Sequence, residues 1–349
     1  MTKYVEADRA QLHPPLTEGA STDSSLFFGG TERDSLAIDD TDQLLIGHLL
    51  EDGKMTNREL AQITGVSESA ISIRLRKLTA SRVLVFTALI DWEMAGFEWF
   101  AIARIKSRGR PPKEIAQQIA VLPQCEAVAV VLGSHDVVAF FLTKDRAELH
   151  HLVNDELPRV EGISDLIIDL ATETSVSARG RQFFLAKAVP PIRLPHPRID
   201  LDDLDISIIQ ALIDDGRQSS RKIARTFHVS EGTVRSRVTR LNSAGLIKVA
   251  AMVEPVALGL AGVIACVSLK VQRDKAAEVR SQLMQLPELA FLAVTVGISD
   301  ISITVTAADN AHLIDLVSSR LQVIDGVQGT ETLLMVDVIR FSPYMKRLV

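Results

Sequence analysis

The chain repeats itself, and its fold must therefore be one that can occur twice. The stretch Thr56–Leu78, TNRELAQITGVSESAISIRLRKL, recurs without a gap as Ser219–Leu241, SSRKIARTFHVSEGTVRSRVTRL. Leu60 becomes Ile223, Ala61 becomes Ala224, Val66-Ser67-Glu68 becomes Val229-Ser230-Glu231, Ile71 becomes Val234, and Leu78 becomes Leu241, each 163 positions on. Gly53 with Gly216 and Gly96 with Gly259 carry the register outward. After one added residue the spacing is 164: Leu122-Pro123 matches Leu286-Pro287, Gly133 and Asp136 match Gly297 and Asp300, and Gly162 matches Gly326. That period is too long for a solenoid repeat. The chain is two copies of a two-domain module.

The repeated stretch reads as helix, tight turn, helix. Thr56 is an N-cap, and Glu59 three residues on can close a capping box. Gly65 supplies the positive φ of the turn, and its counterpart His228 is a residue type that tolerates it. Ser67 and Ser230 cap the second helices. In the first of these, Ile71, Leu75 and Leu78 recur at helical spacing and face the core. Small hydroxyl and basic residues are left pointing outward: Ser67, Ser69, Ser72, Ile73, Arg76 and Lys77, with Ser230, Thr233, Arg235, Ser236, Thr239 and Arg240 in the echo. Such faces suit base edges and phosphates of duplex DNA, with the second helix in the major groove. Arg74 and Arg237 lie beside core positions, so they either meet phosphate or cap carboxylates of their own domain. Asp42 and Asp205 are the expected caps of a preceding helix in each copy, so each unit has three helices. Gly245 sits where a helix C-cap wants a left-handed residue. The first copy has Arg82 there, at about 1 kcal/mol if the backbone is kept.

The period then changes. Trp99–Lys106, Pro112–Leu122, Ala127–Leu132, Val137–Thr143, Arg146–Leu157 and Gly162–Ala171 read β-α-β-β-α-β, the ferredoxin-like order, and the second copy repeats it. The predicted class is α+β, a tandem duplication of a winged helix-turn-helix domain followed by a ferredoxin-like domain. The expected boundaries are a flexible tail over 1–37, DNA-binding domains over 38–86 and 199–249, regulatory domains over 87–185 and 250–349, and a proline-rich linker over 186–198. Arg82–Leu89 and Gly245–Val253 are expected as a short wing or connector strand.

Composition narrows the function. No apolar run reaches the roughly 18 residues of a membrane span, and the N-terminus lacks a signal-peptide stretch, so the cytoplasm is the expected compartment. The net charge of −6 argues weakly against nucleic acid, but local charge decides. Arg74, Arg76, Lys77 and Arg82 oppose Glu68 alone, and Arg235, Arg237, Arg240 and Lys248 oppose Glu231 alone. Cys125 and Cys266 fall at non-equivalent positions and read as buried thiols. His150 and His151 are adjacent, so they do not share a helix face as metal ligands do. No metal, cofactor or catalytic set is expected.

The ordered set IDDTDQLLIGHLLEDGKMTNRELAQITGVSESAISIRLRKL, its echo LDDLDISIIQALIDDGRQSSRKIARTFHVSEGTVRSRVTRLNSAGLI, the motifs GSHD and GISD, and the run Gly326–Thr332 resemble the Lrp/AsnC (feast/famine) transcription regulators. The resemblance covers about 38–175 and 199–342, so the chain looks like a tandem fusion of a usually single module. It implies that the protein is not an enzyme and that its partners are double-stranded DNA, other copies of itself, and a small amino-acid-like effector. The effector would bind near the loops Gly133-Ser134-His135-Asp136 and Gly297-Ile298-Ser299-Asp300. A glycine there lets backbone N–H groups approach a carboxylate, and an aspartate can pair with an ammonium. A plain Gly-Asp hairpin turn explains the same residues. Thr330 and Thr332, which are Leu166 and Ile168 in the first copy, make the second copy the better effector candidate. Sirohaem decarboxylases resemble the same family in fold and are the enzyme alternative. A sensing or scaffold protein that no longer binds DNA is the other.

Overall fold

A computed structural model describes residues 38–183, 191–255 and 261–348. The tail 1–37, the start of the linker and Gly259 lie outside the described residues. Each copy opens with three helices: α1 (Asp40–Glu51), α2 (Asn57–Thr64) and α3 (Glu68–Ala80), echoed below as α7, α8 and α9. Thr56 and Glu59 form the expected capping box, with the Glu59 carboxylate 2.7 Å from the Thr56 N–H. The cap of α1 is Asp39 rather than Asp42; Asp42 is the third residue of the box, and Asp202 and Asp205 repeat this substitution of roles. Arg82 and His228 adopt φ of 56°, the left-handed conformation their glycine counterparts hold freely.

In the first copy, β1 (Leu84–Asp91) leads to β2 (Trp99–Ser107), α4 (Pro112–Ala120), β3 (Cys125–Leu132), β4 (Val137–Thr143), α5 (Arg146–His151, continued by a π-turn), β5 (Ile163–Val176) and a short α6 (Ala178–Gln182). The second copy supplies α7 (Asp203–Asp214), α8 (Ser220–Thr226), α9 (Glu231–Ser243), β6 (Ile247–Val253), β7 (Val263–Val271), α10 (Ala276–Leu283), β8 (Leu289–Val296), β9 (Ile301–Ala307), α11 (Asn310–Asp315, again with a π-turn) and β10 (Val327–Phe341). A terminal β11 (Met345–Lys346) is matched, among the described residues of the first copy, only by an isolated parallel bridge from Phe183 to Val253.

The two copies pair as the halves of a dimer would. β1 does not fold back as a wing; it runs antiparallel to β6, with Thr87 opposite Ala250. Those residues are equivalent in the repeat, so a pseudo-two-fold axis passes through this pair. β11 adds to the other edge of β1. The two ferredoxin-like sheets join along β5–β8 and β10–β3 into a closed eight-stranded barrel, ordered β10-β3-β4-β2-β5-β8-β9-β7. The seams are equivalent too: Glu173 opposes Val294, and Asp337 opposes Val130. Closure removes the unpaired edges that either sheet alone would expose.

Strand alternation sorts the core. Ala101, Ala103 and Ile105 of β2 face outward onto Ile115 and Ile119 of α4, while Phe100 and Ile102 face into the barrel. The second copy repeats the outer layer with Ala265, Val267 and Leu269 against Val279 and Leu283. The helix-turn-helix units pack across the copies. The first places Leu45, Leu49 and Leu60 against Phe86 but also against Ala251 and Val253 of the other copy. The matched glycines Gly53 and Gly216 make this approach possible: a Cβ would lie 2.8 Å from the Ala251 nitrogen at one and 2.7 Å from the Thr87 nitrogen at the other.

Candidate nucleic-acid interface and ligand loops

α3 and α9 each bury one face and leave the other in solvent. Ile71, Leu75 and Leu78 are buried, as are Val234 and Leu241. Ser67, Ser69, Ile73, Arg76 and Lys77 are exposed and Ser72 half-buried; in α9, Ser230, Arg235, Ser236, Thr239 and Arg240 are exposed and Thr233 half-buried. Ile73 is 64% exposed, an apolar side chain available for a base methyl group. Each helix begins at a serine cap: the Ser67 hydroxyl accepts from the Ala70 N–H and the Ser230 hydroxyl from the Thr233 N–H.

The arginines of these helices are not alike. Arg74 donates to both Asp39 (2.7 Å) and Asp42 (2.8 Å), and Arg237 repeats this on Asp202 (2.6 Å) and Asp205 (3.0 Å). Arg240 also reaches Asp205, at 2.6 Å, and the Asp200 carbonyl. All three pair with the capping carboxylates of α1 and α7, the intradomain partners left open above for Arg74 and Arg237. Backbone N–H donation from Asp42 and the Arg74 guanidinium hold Asp39 below the usual carboxylate range; Arg237 does so for Asp202. Arg235 is steadied by Glu231 one turn before it, at 2.6 Å.

The two ligand loops end up facing the opposite copy. Gly133-Ser134-His135-Asp136 abuts β10, and Gly297-Ile298-Ser299-Asp300 abuts β5. Their aspartates are equivalent and local: Asp136 accepts from the Ser107 N–H at 2.7 Å, and Asp300 from the Val271 N–H at 2.8 Å. Each staples its hairpin to the end of the neighbouring strand. The loop-facing carboxylates come from elsewhere. Glu331 takes the Ser134 hydroxyl and lies 3.3 Å from His135 Nδ1; Asp169 accepts from the Ile298 N–H at 2.8 Å. A Cβ at Gly297 would collide with that Asp169 carboxylate, which is why the position is glycine. Thr330 and Thr332 alternate with Glu331 and so belong to the opposite face of β10, where the Thr330 hydroxyl accepts from Gln322.

Arg104 links the loops. It follows Phe100 and Ile102 on the inner face of β2 and is 2% exposed. Its guanidinium donates to Asp169, to Glu331 (2.8 Å) and to the Ser268 hydroxyl (2.9 Å). Burial opposes ionisation of Glu331, but the Ser134 hydroxyl together with the Arg104 and His135 charges outweighs it and holds the carboxyl below its ordinary value. Arg104, Asp169 and Glu331 were not among the sequence-derived candidates. Their signal was an arginine at an inward position of an apolar strand, which needs buried carboxylates to meet it. Leu132, Val296 and Ile298 stand 60%, 66% and 55% exposed beside the loops. Burial pushes both thiols, Cys125 and Cys266, up to about 12. Among the described residues no cluster of three or more His, Cys, Asp or Glu fits a metal ion, and no helix is long and apolar enough to cross a membrane.

Comparison with known proteins matches both domains of each copy. The AsnC-type helix-turn-helix domain matches residues 38–79 and 201–242, and the Lrp/AsnC ligand binding domain matches 101–179 and 263–344. An uncharacterized HTH-type transcriptional regulator of Pyrococcus horikoshii is 35% identical over 153 residues, 43% of this chain and 96% of that protein. The HTH-type transcriptional regulator FL11 of the same organism is 35% identical over 134 residues, 38% of this chain and 89% of that one. Among solved structures, the siroheme decarboxylase NirDL in complex with an iron-uroporphyrin III analogue superposes with a TM-score of 0.62 at 11% identity, covering 88% of this chain and 94% of that chain. At that identity the likeness is one of fold.

Proposed function

Because the chain belongs to the Lrp/AsnC family of transcriptional regulators, in a form that carries the whole module twice, we propose that it binds operator DNA with both α3 and α9 and that a small carboxylate-bearing effector adjusts this binding. The observation that carries the reading is the two-sidedness of those helices: apolar faces buried, hydroxyl and basic faces in solvent, with Arg76 and Lys77 of α3 and Arg235 of α9 exposed toward a groove. The β1–β6 pair supports a fixed spacing between them, since each helical unit rests on the strand of the other copy. Ser67, Ser69, Ser72, Ile73, Arg76 and Lys77, with Ser230, Thr233, Arg235, Ser236 and Thr239, are the proposed contacts. Phosphates add affinity that falls with salt.

For the effector, the loops Gly133–Asp136 and Gly297–Asp300 are the proposed site, approached from outside the barrel where Leu132, Val296 and Ile298 are exposed. A second copy of the chain covers that apolar rim in this reading, and the effector sits between them. It acts by binding one arrangement of the assembly better than another.

Mobility shift with the chain's own upstream region tests the first claim. Wild type binds, Arg76→Ala and Arg235→Ala each bind more weakly, and both helices altered together lose specific binding. Binding unchanged in the double variant would remove α3 and α9 from the interface. Sedimentation velocity with and without amino acids and 2-oxo acids tests the second.

A further inference from the structure

The barrel is not filled from end to end. At the mouth nearest the β11–β1–β6 sheet it holds a cavity of about 150 Å³. Its walls include Trp92, Phe100, Phe140, Phe291, Met335 and Phe341. Phe100 and Phe291, with ring centroids 5.1 Å apart, each contact both Trp92 and Phe140. An apolar cavity of that size takes a body on the scale of one benzene ring.

Two ionisable side chains interrupt this wall: Glu126 of β3 and Lys346 of β11, 7% and 6% exposed. One Glu126 carboxyl oxygen, Oε2, has no hydrogen-bond partner. The Lys346 ammonium rests 4.8 Å from the centre of the Phe341 ring, and no described carboxylate pairs with it. Burial lowers Lys346 to about 7 and raises Glu126 to about 7, so at neutral pH each is about half ionised and the two charges offset. A buried amine without a counter-ion costs stability, and a lysine is not needed to pair β11 with β1, which backbone groups accomplish. A ligand that brings its own negative charge accounts for the lysine.

We propose that this cavity is a second ligand site, separate from the Gly133–Asp136 and Gly297–Asp300 loops, for a small aromatic or branched monocarboxylate whose hydrocarbon body lies among Trp92, Phe100, Phe140 and Phe291 and whose carboxylate pairs with Lys346. The position gives the site a route to the DNA-binding units. Lys346 lies opposite Asp91 in the β11–β1 pair, and its carbonyl accepts from the Trp92 N–H at 3.1 Å. Phe183, also in the wall, bridges to Val253 of β6. A ligand there touches residues that pair directly with the strands on which both helical units rest.

Isothermal titration of the full chain with phenylacetate, 4-methylpentanoate and the neutral benzyl alcohol tests this. Wild type binds the acids, and Lys346→Met, which puts an apolar side chain of similar length into an apolar wall, weakens them roughly tenfold or more while sparing benzyl alcohol. At a pH about one unit above 7, acid binding by wild type takes up protons, seen as a heat that varies with buffer, and the variant takes up fewer, since only the Glu126 carboxyl remains to accept one. No binding of either acid at millimolar concentration, equal affinity in Lys346→Met, or binding without proton uptake would each overturn the proposal. DNA is absent from the measurement, so its outcome is separate from that of the operator assay.

Discussion

Arg104 donates to the hydroxyl of Ser268 at 2.9 Å, and the two residues occupy the same position of the repeat, 164 places apart. They meet because the pseudo-two-fold axis brings equivalent positions of β2 and β7 face to face inside the barrel. In a symmetric dimer one residue type would have to serve both places, and two arginines there would repel. A duplicated chain is free of that constraint. One side carries the charge, the other a hydroxyl, and Asp169 and Glu331 supply the counter-charge.

Breaking this group should be costly. Asp169 is fully buried, and Arg104→Ala leaves its carboxylate without the guanidinium. The expected loss is about 3–5 kcal/mol, whereas Arg104→Met with Asp169→Leu, which removes the charge on both sides, recovers most of it. Urea denaturation of Arg104→Met, Asp169→Leu and the double variant checks this; additivity of the single losses would mean that the pair is not coupled.

The matched glycines give a second outcome. Gly216→Val pushes a side chain into the backbone of β1 at Thr87, and Gly53→Val does the same to β6 at Ala251. Overpacking of this kind costs about 1–3 kcal/mol. Its mark here is positional: each variant loosens its own helical unit from the other copy's strand. Hydrogen exchange of α7 and α8 in Gly216→Val, with the barrel strands as internal reference, reads it directly.

How much of this was legible follows from which interactions are local. The helix-turn-helix pairs, their caps, the left-handed Arg82 and His228, and the βαββαβ order all depend on residues within a few positions of one another, so pattern and turn chemistry reach them. The Arg74 and Arg237 pairs were visible as one of two alternatives, because a residue beside the core can point either way. The connector strand was visible, but not its partner: β1 pairs with a strand 163 positions away, and strand pattern does not say across which edge. Arg104, Asp169 and Glu331 come from three strands and meet only once the barrel closes. Lys346 sits on a two-residue strand too short to carry a pattern.

The cavity groups predict an unusual pH dependence. Glu126 has its carboxyl raised from 4.5 to about 7, so the folded state holds a proton that the unfolded chain has lost over that interval. Its contribution is full below 4.5 and declines as pH rises to about 7. Lys346 is lowered from 10.5 to about 7, so the unfolded chain holds the extra proton between those values. Its contribution is full above 10.5 and declines as pH falls to about 7. Together they put a shallow minimum in stability near neutrality, with limbs no steeper than about 1.4 kcal/mol per pH unit each. Denaturation midpoints measured across pH 5 to 10 should lose the acid limb in Glu126→Gln and the alkaline limb in Lys346→Met. A flat profile in wild type would mean that water reaches both groups.

Under the proposed DNA-binding role, α3 and α9 differ in a way that would set the operator. At equivalent positions α3 has Ser72 and Arg76 where α9 has Arg235 and Thr239, so the exposed basic residue moves by one helical turn, about 6 Å along the axis. Two guanidinium groups displaced by that distance meet different base pairs, and a matched contact discriminates by about 1–3 kcal/mol. Selection from random duplexes should therefore return a site with unlike halves at a fixed separation. The chain carrying Ser72→Arg and Arg76→Thr should shift the selected site toward a palindrome built on the half that α9 prefers. If wild type already selects a perfect palindrome, the displaced arginines do not read bases, and their role is confined to the phosphate backbone.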